Sequence, residues 1–434
     1  MRSTLFYIPN DTIAGLPILG FGWLLIAWLV LCAGLLIWLV RQQGWNKDTA
    51  SYLPFLLAVA GVIAFLLPGL VEYGELPSDG GPREMLGIPV RGFGVMMMLA
   101  MVASVGLAMY RAHQMGLDPE VISTLSMCMI ATGLLGARLF YIYQYWDQFF
   151  KPEIPLRDSL LSLVNVTKGG LVVYGSVIAG VPAGVYYLVR RGLPVLAVGD
   201  IIAPSMVVGL AIGRIGCFLN GCCFGSACDW PIAMSFPKGS PPYERQQETG
   251  ELYGFKLKVG TGKDEVVIDQ IKSGSAAEHS GAKPGSVITH INGGKVATLE
   301  DAKKRLLLAG SIIELKTADG QTFLLQQQVW PGRSLPINPT QLYAALDAAL
   351  LALVLWLFYP YRRRDGEVFA LLVTIHPISR FVIEAIRSDE SGQWGTYFTI
   401  SQWISGAILI AACGFWIYLE RLPRGSVLPV MDKG

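Results

Sequence analysis

Several charged side chains stand inside long apolar runs of this sequence. They are Arg138, Arg214, Asp347, Arg380 and Glu384. A charge at membrane depth is costly, so it faces a protein interior or a wet cavity and indicates a functional site. Arg214 stands among closely spaced glycines, which allow a lipid headgroup to approach the backbone. Its guanidinium fork suits bidentate contact with a phosphate; an arginine that snorkels to the interface is the alternative.

A second group of polar side chains repeats at helical spacing near the end of the chain. The intervals are 4, 4 and 3 residues, and the members are His376, Arg380, Glu384 and Arg387. Residues three and four apart share one face of a helix. Such a face is a poor contact for lipid, so we expect it to look inward, on a helix kinked by Pro377. An Arg380–Glu384 ion pair that only holds two helices together is the alternative.

The composition of the chain points to a membrane protein. Its 434 residues are 53% hydrophobic and only 15% charged, whereas soluble domains average about 25% charged. Nine apolar segments are candidates for spanning helices, which need about 20 residues each. They are 16–40, 51–71, 92–110, 121–137, 169–189, 201–213, 341–360, 368–386 and 400–419. The net charge of +2 is too small to indicate a nucleic-acid partner, and none is expected.

The distribution of basic residues predicts the orientation of these spans. Lysines and arginines concentrate in alternate connecting segments, which include Arg41, Arg111, Arg190, Arg362 and Arg421. Because basic loops face the cytoplasm, we expect the N-terminus outside and the C-terminus in the cytoplasm. The first apolar run is long enough to span, so it is interpreted as an uncleaved membrane segment. The long segment after the sixth span then lies outside.

That segment, residues 229–338, has the character of a soluble domain. Its prolines break any continuing helix. Strands are expected at 266–268, 287–291, 312–317 and 322–328, with Asn292-Gly293 as a hairpin turn. Thr298 is a typical cap for a helix that ends at Leu308, before Gly310. We therefore predict a small α/β domain inserted into an all-α membrane core.

The sequence from Ser275 to Gly293 resembles the bacterial PDZ pattern, and Tyr253-Gly254-Phe255-Lys256 resembles its carboxylate-binding loop. The similarity covers about 253–328, with Ser286 where the family usually has Asp. PDZ domains take peptide C-termini by adding a strand, and backbone N–H groups hold the carboxylate. The resemblance implies that Tyr253, Gly254 and Phe255 bind a peptide C-terminus. An insert that only supports an extracytoplasmic head is the alternative.

Four motifs of the remaining chain stand in a recognisable order. Residues 213–225 read Gly-Arg-Ile-Gly-Cys-Phe-Leu-Asn-Gly-Cys-Cys-Phe-Gly, and the others are 169–175, 338–343 and 379–387. Together they resemble the bacterial prolipoprotein diacylglyceryl transferase family. Four positions depart from its pattern: Tyr174 and Asn338 stand at family His positions, Cys217 at an Asn and Cys222 at a Glu.

The resemblance implies transfer of a diacylglyceryl group from phosphatidylglycerol to the lipobox cysteine thiol of a prolipoprotein, with release of glycerol phosphate. It implies phosphatidylglycerol and prolipoprotein signal peptides as partners, the bacterial cytoplasmic (inner) membrane as location, and no cofactor or metal. The expected catalytic residues are Arg214, Arg380, His376 and Tyr174. The expected substrate-binding residues are Arg138, Asn220, Gly225, Gln341, Tyr343, Glu384 and Arg387.

The attacking thiol must lose its proton, because the thiolate is the nucleophile. Tyrosine, with a reference pKa of about 10, is a poor base. The family has His in the Gly-Gly loop and Tyr four residues before the late Arg, whereas this chain has Tyr174 and His376 at those places. We interpret this as an exchange, in which His376 takes the proton or orients the group that does.

Seven cysteines are present, and four of them lie between Cys217 and Cys228. Their C-x4-C-C-x4-C spacing fits no standard zinc pattern. A disulfide is expected on an oxidising face, with inert buried thiols or a metal or redox centre as alternatives. The alternative function is a transferase-like protein without that activity, which uses this cluster for redox or metal chemistry or the PDZ-like domain as a scaffold.

The predicted fold is an all-α polytopic membrane protein of about nine transmembrane helices with the α/β PDZ-like insert. Its predicted parts are 1–87 (two extra N-terminal helices), 88–228 (first part of the core), 229–338 (the extracytoplasmic insert) and 339–434 (second part of the core and cytoplasmic tail).

Overall fold

A computed structural model of the protein describes residues 4–44, 47–73, 85–150, 159, 162–163, 170–260, 265–310, 312–326, 331–387, 392 and 395–428. The helices are α1 (Trp23–Gln43), α2 (Lys47–Gly61), α3 (Gly92–Gln114), α4 (Pro119–Gln144), α5 (Trp146–Phe149), α6 (Val173–Arg190), α7 (Val195–Asn220), α8 (Pro241–Glu248), α9 (Ala276–His279), α10 (Leu299–Leu307), α11 (Thr340–Phe358), α12 (Glu367–Ile386) and α13 (Ile400–Glu420). The strands are β1 (Thr4–Ile8), β2 (Thr12–Ile13), β3 (Leu16–Pro17), β4 (Glu72–Tyr73), β5 (Met85–Arg91), β6 (Phe255–Val259), β7 (Val266–Ile271), β8 (Ile288–Ile291), β9 (Gly294–Lys295), β10 (Ile312–Thr317) and β11 (Thr322–Gln326).

Among the described residues, 7 helices are long and apolar enough to cross a membrane. They are α1, α3, α4, α7, α11, α12 and α13. The protein is therefore a multi-pass membrane protein. The other two predicted spans correspond to α6, which has 18 residues and contains Pro182, and to α2 with the π and 3-10 turns that follow it through Leu70. The count of nine is not confirmed.

Helix α7 is the centre of the bundle. It packs against α3, α11 and α12, and Ala197, Ile201 and Ala203 on it are fully buried. Glycines also allow α4 and α6 to approach closely. A Cβ at Gly175 of α6 would overlap the Gly136 carbonyl of α4. The predicted span 201–213 is too short at both ends, since α7 runs from Val195 to Asn220. The prediction stopped at charged residues, whereas Asp200 is buried within the protein and does not end the helix.

Asp200, near the start of α7, caps another helix. Its fully buried carboxylate accepts hydrogen bonds from the backbone N–H groups of Gly366 (2.7 Å) and Phe369 (2.9 Å). These are donors of the first turn of α12, whose own N-cap has no side-chain cap. Arg362 Nε lies 3.7 Å from the same carboxylate. This cluster is about 21 Å along α7 from Arg214, so it stabilises the opposite end of the bundle.

The insert has its own hydrophobic core. Strands β6 and β7 pair with each other, and a second sheet has the order β11-β10-β8-β9. The local signals were informative: the Thr298 hydroxyl accepts the Asp301 N–H (3.2 Å) at the start of α10, and Asn292 and Gly293 turn with φ of 49° and 73°. Residues 327–328 of the last predicted strand lie outside the described residues.

Helix α8, which the sequence analysis did not predict, ties the insert to the membrane core. Gln247 Nε2 donates to the carbonyls of Leu306, Leu307 and Ala309 at the end of α10, at 3.0–3.3 Å. The neighbouring Gln246 accepts the N–H of Leu335 at 2.7 Å. Two adjacent glutamines therefore hold the insert on one side and the chain that returns to the core on the other.

The chain that enters the insert and the chain that leaves it run antiparallel and form a stalk. Ala227 and Met234 both pair with Ile337. Further out, the Lys238 N–H donates to the Gly332 carbonyl at 3.1 Å. The connection is therefore a hydrogen-bonded ribbon, not a pair of independent linkers.

The N-terminal residues form strands before the first helix. β1 pairs with β5, and β2 pairs with β3 in a hairpin. The predicted first span, 16–40, is therefore wrong at its start, since α1 begins only at Trp23. Pro17 and Gly20, which has a φ of +72°, explain the shift because neither favours helix at that point.

Candidate functional site

Glu384 is the centre of a buried network at the end of α12. Its carboxylate accepts hydrogen bonds from Arg380 and Arg387, each at 2.9 Å, and from the Thr399 hydroxyl at 3.2 Å. The Glu384 side chain is 0% exposed. Arg380 also donates to the Ser401 hydroxyl at 3.0 Å. The polar stripe thus faces α13 inside the protein, and the Arg380–Glu384 ion pair named as the structural alternative is present within it.

Arg214, near the end of α7, is half-buried and lies close enough to Arg380 and His376 for its charge to act on both. Within the described part of the chain, its guanidinium makes no hydrogen bond and no ion pair with a carboxylate. Arg380, in contrast, shares its carboxylate with another arginine. The group carries excess positive charge, which favours binding of a phosphate or another anion.

His376 contributes a titratable ring to the same group. It is half-buried on α12, and its Nδ1 has no hydrogen-bond partner among the described residues. The charge of Asp347, on α11, acts on His376 together with those of the arginines. Asp347 also accepts a hydrogen bond from the Ser379 hydroxyl at 2.8 Å. The His376 Nδ1 is therefore a buried polar atom whose hydrogen-bonding capacity the described residues leave unused.

The loop after α7 joins three of the predicted motifs. Gly225 N–H donates to the Asn338 carbonyl and Asn338 N–H to the Ser226 carbonyl, both at 3.0 Å. Ser226 N–H donates to the carbonyl of Ile386 at 3.1 Å. A Cβ at Gly225 would lie 2.7 Å from the Asn338 Cβ, so a larger residue would force this loop to move. Motifs 213–225, 338–343 and 379–387 therefore meet at one place.

Other predicted substrate-binding residues support this loop. Gln341 is buried, and its Nε2 donates to the Cys222 carbonyl at 2.8 Å. The Tyr343 hydroxyl lies 3.5 Å from Asn338 Oδ1, and Asn220 is the last residue of α7. These contacts position the loop, and direct contact of these side chains with substrate stays a prediction.

Arg138 and Tyr174 stand on other helices, Arg138 on α4 and Tyr174 in the first turn of α6. Arg138 donates to the carbonyls of Ser162 (2.6 Å), Leu163 (2.8 Å) and Gly170 (3.0 Å). It thereby anchors the segment before α6, whose motif residue Gly169 lies outside the described residues. Tyr174, in the first turn of α6, is 36% exposed, and no hydrogen bond joins it to the Arg214 group in the part of the chain described.

Three cysteines converge beside this site. The Sγ atoms of Cys217, Cys222 and Cys223 all lie within 4.8 Å of one another. All seven cysteines are free thiols, so the expected disulfide does not form in this structure. Hydrogen bonds from Cys217 and Cys222, and then the positive charges of Arg387 and Arg214, lower the pKa of the Cys223 thiol.

A cavity of about 490 Å³ lies between the loop after α7 and the insert, and residues 224–229 and 254–256 are among those that line it. The predicted carboxylate-binding loop of the insert therefore borders the cavity. Its N–H groups are bonded internally: Tyr253 and Phe255 donate to the Gly250 carbonyl (2.9 and 3.2 Å) and Gly254 to that of Glu251 (3.1 Å). Peptide binding there stays a prediction.

Thr399 and Ser401, at the start of α13, bond to Glu384 and Arg380 and were not predicted from the sequence. A local signal was available. Thr399 and Gln402 form a capping box, in which Gln402 N–H donates to the Thr399 hydroxyl (3.3 Å) and Thr399 N–H to the Gln402 side chain (3.0 Å). The box fixes the start of α13 against the buried carboxylate.

Comparison with known proteins gives a consistent result. The family model for prolipoprotein diacylglyceryl transferase matches residues 84–418. A protein of Rhodopirellula baltica named phosphatidylglycerol–prolipoprotein diacylglyceryl transferase is 33% identical over 447 residues, which cover 95% of this chain and 88% of that protein. Proteins with the same name from Bdellovibrio bacteriovorus (27% identical; 74% of this chain, 86% of that protein) and Thermosynechococcus vestitus (30%; 38% and 60%) are also similar.

Proposed function

The chain belongs to the prolipoprotein diacylglyceryl transferase family, and from that premise we propose which of its residues carry out the reaction. The enzyme transfers the diacylglyceryl group of phosphatidylglycerol to the lipobox cysteine thiol of a prolipoprotein. The observation that carries the proposal is the guanidinium of Arg214, half-buried beside Arg380 and without a carboxylate partner among the described residues.

We assign Arg214 and Arg380 to the phosphate of phosphatidylglycerol. In the reaction the prolipoprotein thiolate attacks the glyceryl carbon, a C–S bond forms, and the C–O bond to the phosphate breaks. The phosphate leaves with the bond's electron pair as glycerol phosphate. Guanidinium groups fixed in a medium of low dielectric constant stabilise the charge that develops on that leaving group. Glu384 and Arg387 hold Arg380 in place for this task.

We assign the thiol proton to His376. Its Nδ1 is without a hydrogen-bond partner in the described part of the chain, and the ring lies near Arg214 and Arg380. Neutral imidazole can accept a proton near physiological pH, whereas a tyrosine needs its own proton removed first. Tyr174, at the exposed start of α6, is assigned to contact with the incoming peptide and is the second candidate, after His376, for a role in removing the thiol proton.

The remaining predicted residues have supporting roles in this proposal. Gly225, Asn220, Gln341 and Tyr343 shape the loop after α7, and Arg138 fixes the segment before α6. A displacement of catalytic groups by about 1 Å lowers rates by about 10²-fold. Rigid support of the loop is therefore part of the site.

For the topology, we propose nine spans in the inner membrane, with the N-terminus and the insert outside and the C-terminus in the cytoplasm. The alternation of basic loops supports this orientation. The division into 1–87, 88–228, 229–338 and 339–434 follows from it. The apolar helices α2 and α6 supply the two spans beyond the seven of sufficient length and hydropathy.

We further propose that residues 253–328 form a PDZ-like domain that takes peptide C-termini. The paired strands and the capped helix α10 support that identity. Binding requires that the N–H groups of Tyr253, Gly254 and Phe255 leave the carbonyls they now contact. Peptide libraries with free and amidated C-termini test it on the full chain: binding that needs the free carboxylate supports the proposal, and equal or no binding of both contradicts it.

The test of the catalytic assignment is a transfer assay with the purified protein in detergent, phosphatidylglycerol and a lipobox peptide. Arg214→Ala is expected to lower the rate by at least about 10²-fold, because a charge at the leaving phosphate is lost. Arg214→Lys keeps the charge but not the fork, and should recover part of the rate. The matched control is Arg421→Ala, at an exposed position past α13. A wild-type rate in a folded Arg214→Ala protein would refute the assignment.

A further inference from the structure

The cysteine cluster, Cys217, Cys222 and Cys223, is a set of metal-ligating side chains that the transfer reaction does not use. Its Sγ atoms lie within 4.8 Å of one another. In a zinc–thiolate site with bonds of about 2.3 Å, the sulfur atoms are about 3.8 Å apart, so the thiols need only a small inward shift. We propose that the cysteine cluster binds a thiophilic metal ion, Zn²⁺ or Cu⁺, through three thiolates.

The backbone brings the three thiols to one side. Cys217 lies in the last turn of α7, and the Cys222 N–H donates to the Cys217 carbonyl at 3.1 Å. Adjacent residues in an extended chain point in opposite directions. Cys223 avoids this because its φ is +60°, in the left-handed region that non-glycine residues rarely adopt. Such a conformation persists only where the surroundings enforce it.

Those surroundings are identifiable. The Thr340 hydroxyl donates to the Cys223 carbonyl at 2.7 Å, and Gln341 Nε2 donates to the Cys222 carbonyl at 2.8 Å. Both donors stand in the first turn of α11. The carbonyls of the two vicinal cysteines are thus fixed from outside the loop, which leaves their side chains positioned for a ligand.

The charges around the cysteine cluster suit a metal–thiolate complex. Three thiols that bind a divalent ion release three protons and leave a complex of charge −1; a monovalent ion leaves −2. The positive charges of Arg387 and Arg214 act on Cys223 and would partly compensate that negative charge. Sulfur ligands select Zn²⁺ and Cu⁺ over Mg²⁺ and Mn²⁺, which prefer oxygen.

The experiment uses the full chain in detergent, reduced and freed of metal with a chelator. The protein is titrated with Zn²⁺, and under anaerobic conditions with Cu⁺, in the presence of a chromophoric chelator that competes for the metal. Co²⁺ serves as a spectroscopic probe, because thiolate ligands give it charge-transfer absorption. We expect one ion per chain for at least one of the two metals. Cys217→Ser and Cys223→Ser should each weaken binding by at least about 10²-fold, since loss of a direct ligand costs more than loss of an outer-shell contact.

The matched control is Cys128→Ser on α4, which should bind as the wild type does. Thermal unfolding with and without metal shows whether the Cys217→Ser and Cys223→Ser variants are folded. Without metal, their Tm should equal that of the metal-free wild type, and added metal should raise the Tm of the wild type but not theirs. No stoichiometric binding of either metal, or equal loss in Cys128→Ser, would overturn the proposal. Because binding is measured without catalysis, its failure is distinguishable from failure of the transferase assignments.

Discussion

The substitution Glu384→Gln isolates the contribution of one buried carboxylate to the arrangement of two arginines. It preserves the shape of the side chain and removes its charge. Glu384 accepts bonds of 2.9 Å from both Arg380 and Arg387 and is 0% exposed. The perturbation therefore removes a negative charge that two guanidinium groups contact in the protein interior.

The magnitude follows from these contacts. A hydrogen bond to a charged group contributes about 1.5–3 kcal/mol and a neutral one about 0.5–1.5 kcal/mol. Two such exchanges cost roughly 2–3 kcal/mol, and the unbalanced charge of the two buried arginines raises the total to about 3–5 kcal/mol. We also expect Arg380 to turn away from its present position, which lowers the transfer rate by about 10²-fold.

The assay combines thermal unfolding in detergent with the rate of diacylglyceryl transfer to a lipobox peptide, measured well below the variant's Tm. Glu420→Gln makes the same chemical change at the exposed end of α13 and should alter neither value. If Glu384→Gln has the Tm and the transfer rate of the wild type, then the carboxylate does not organise the arginines. Lower stability with an unchanged rate would limit its role to holding α12 against α13.

Three further perturbations test other parts of the structure. His376→Gln should lower the transfer rate by about 10²-fold or more while leaving Tm within about 1 °C of wild type. The control His113→Gln, at an exposed helix end, should change neither the rate nor Tm. Asp200→Asn removes the buried charge that caps α12 and should lower the free energy of unfolding by about 3 kcal/mol, without changing the rate of the folded enzyme at low temperature. Gly225→Ala should lower the transfer rate by about 10-fold or more, because its Cβ would lie 2.7 Å from that of Asn338; an unchanged rate would show that the loop adapts.

Local signals made much of the insert predictable. The Asn292-Gly293 turn and the Thr298 cap each depend on residues within three positions along the chain. The inward-facing stripe of α12 was predictable for the same reason, since helical spacing alone places Arg380 and Glu384 on one face. The same spacing places Arg387 three residues after Glu384, whereas the sequence could not indicate that Thr399 of another helix would share that carboxylate.

Features that depend on distant partners were not predictable. Asp200 stands in an apolar run, and its partners lie more than 160 positions later in the chain. Helix α8 buries Gln246 and Gln247, whose side chains bond to the backbone of Leu335 and to carbonyls at the end of α10. Polar residues are buried in this way when the tertiary fold supplies hydrogen-bond partners, and sequence periodicity does not predict which residues these are.

The stalk has a consequence for the redesign of this protein. Lys238 and Gly332 are joined by a backbone hydrogen bond of 3.1 Å, although more than 90 residues separate them in sequence. A turn of two residues is enough to reconnect such neighbouring antiparallel strands. We therefore expect that the domain between them can be replaced by such a turn, or by another module, without altering the path of any transmembrane helix. The paired segments 227–238 and 332–337 mark the place at which the insert could be exchanged.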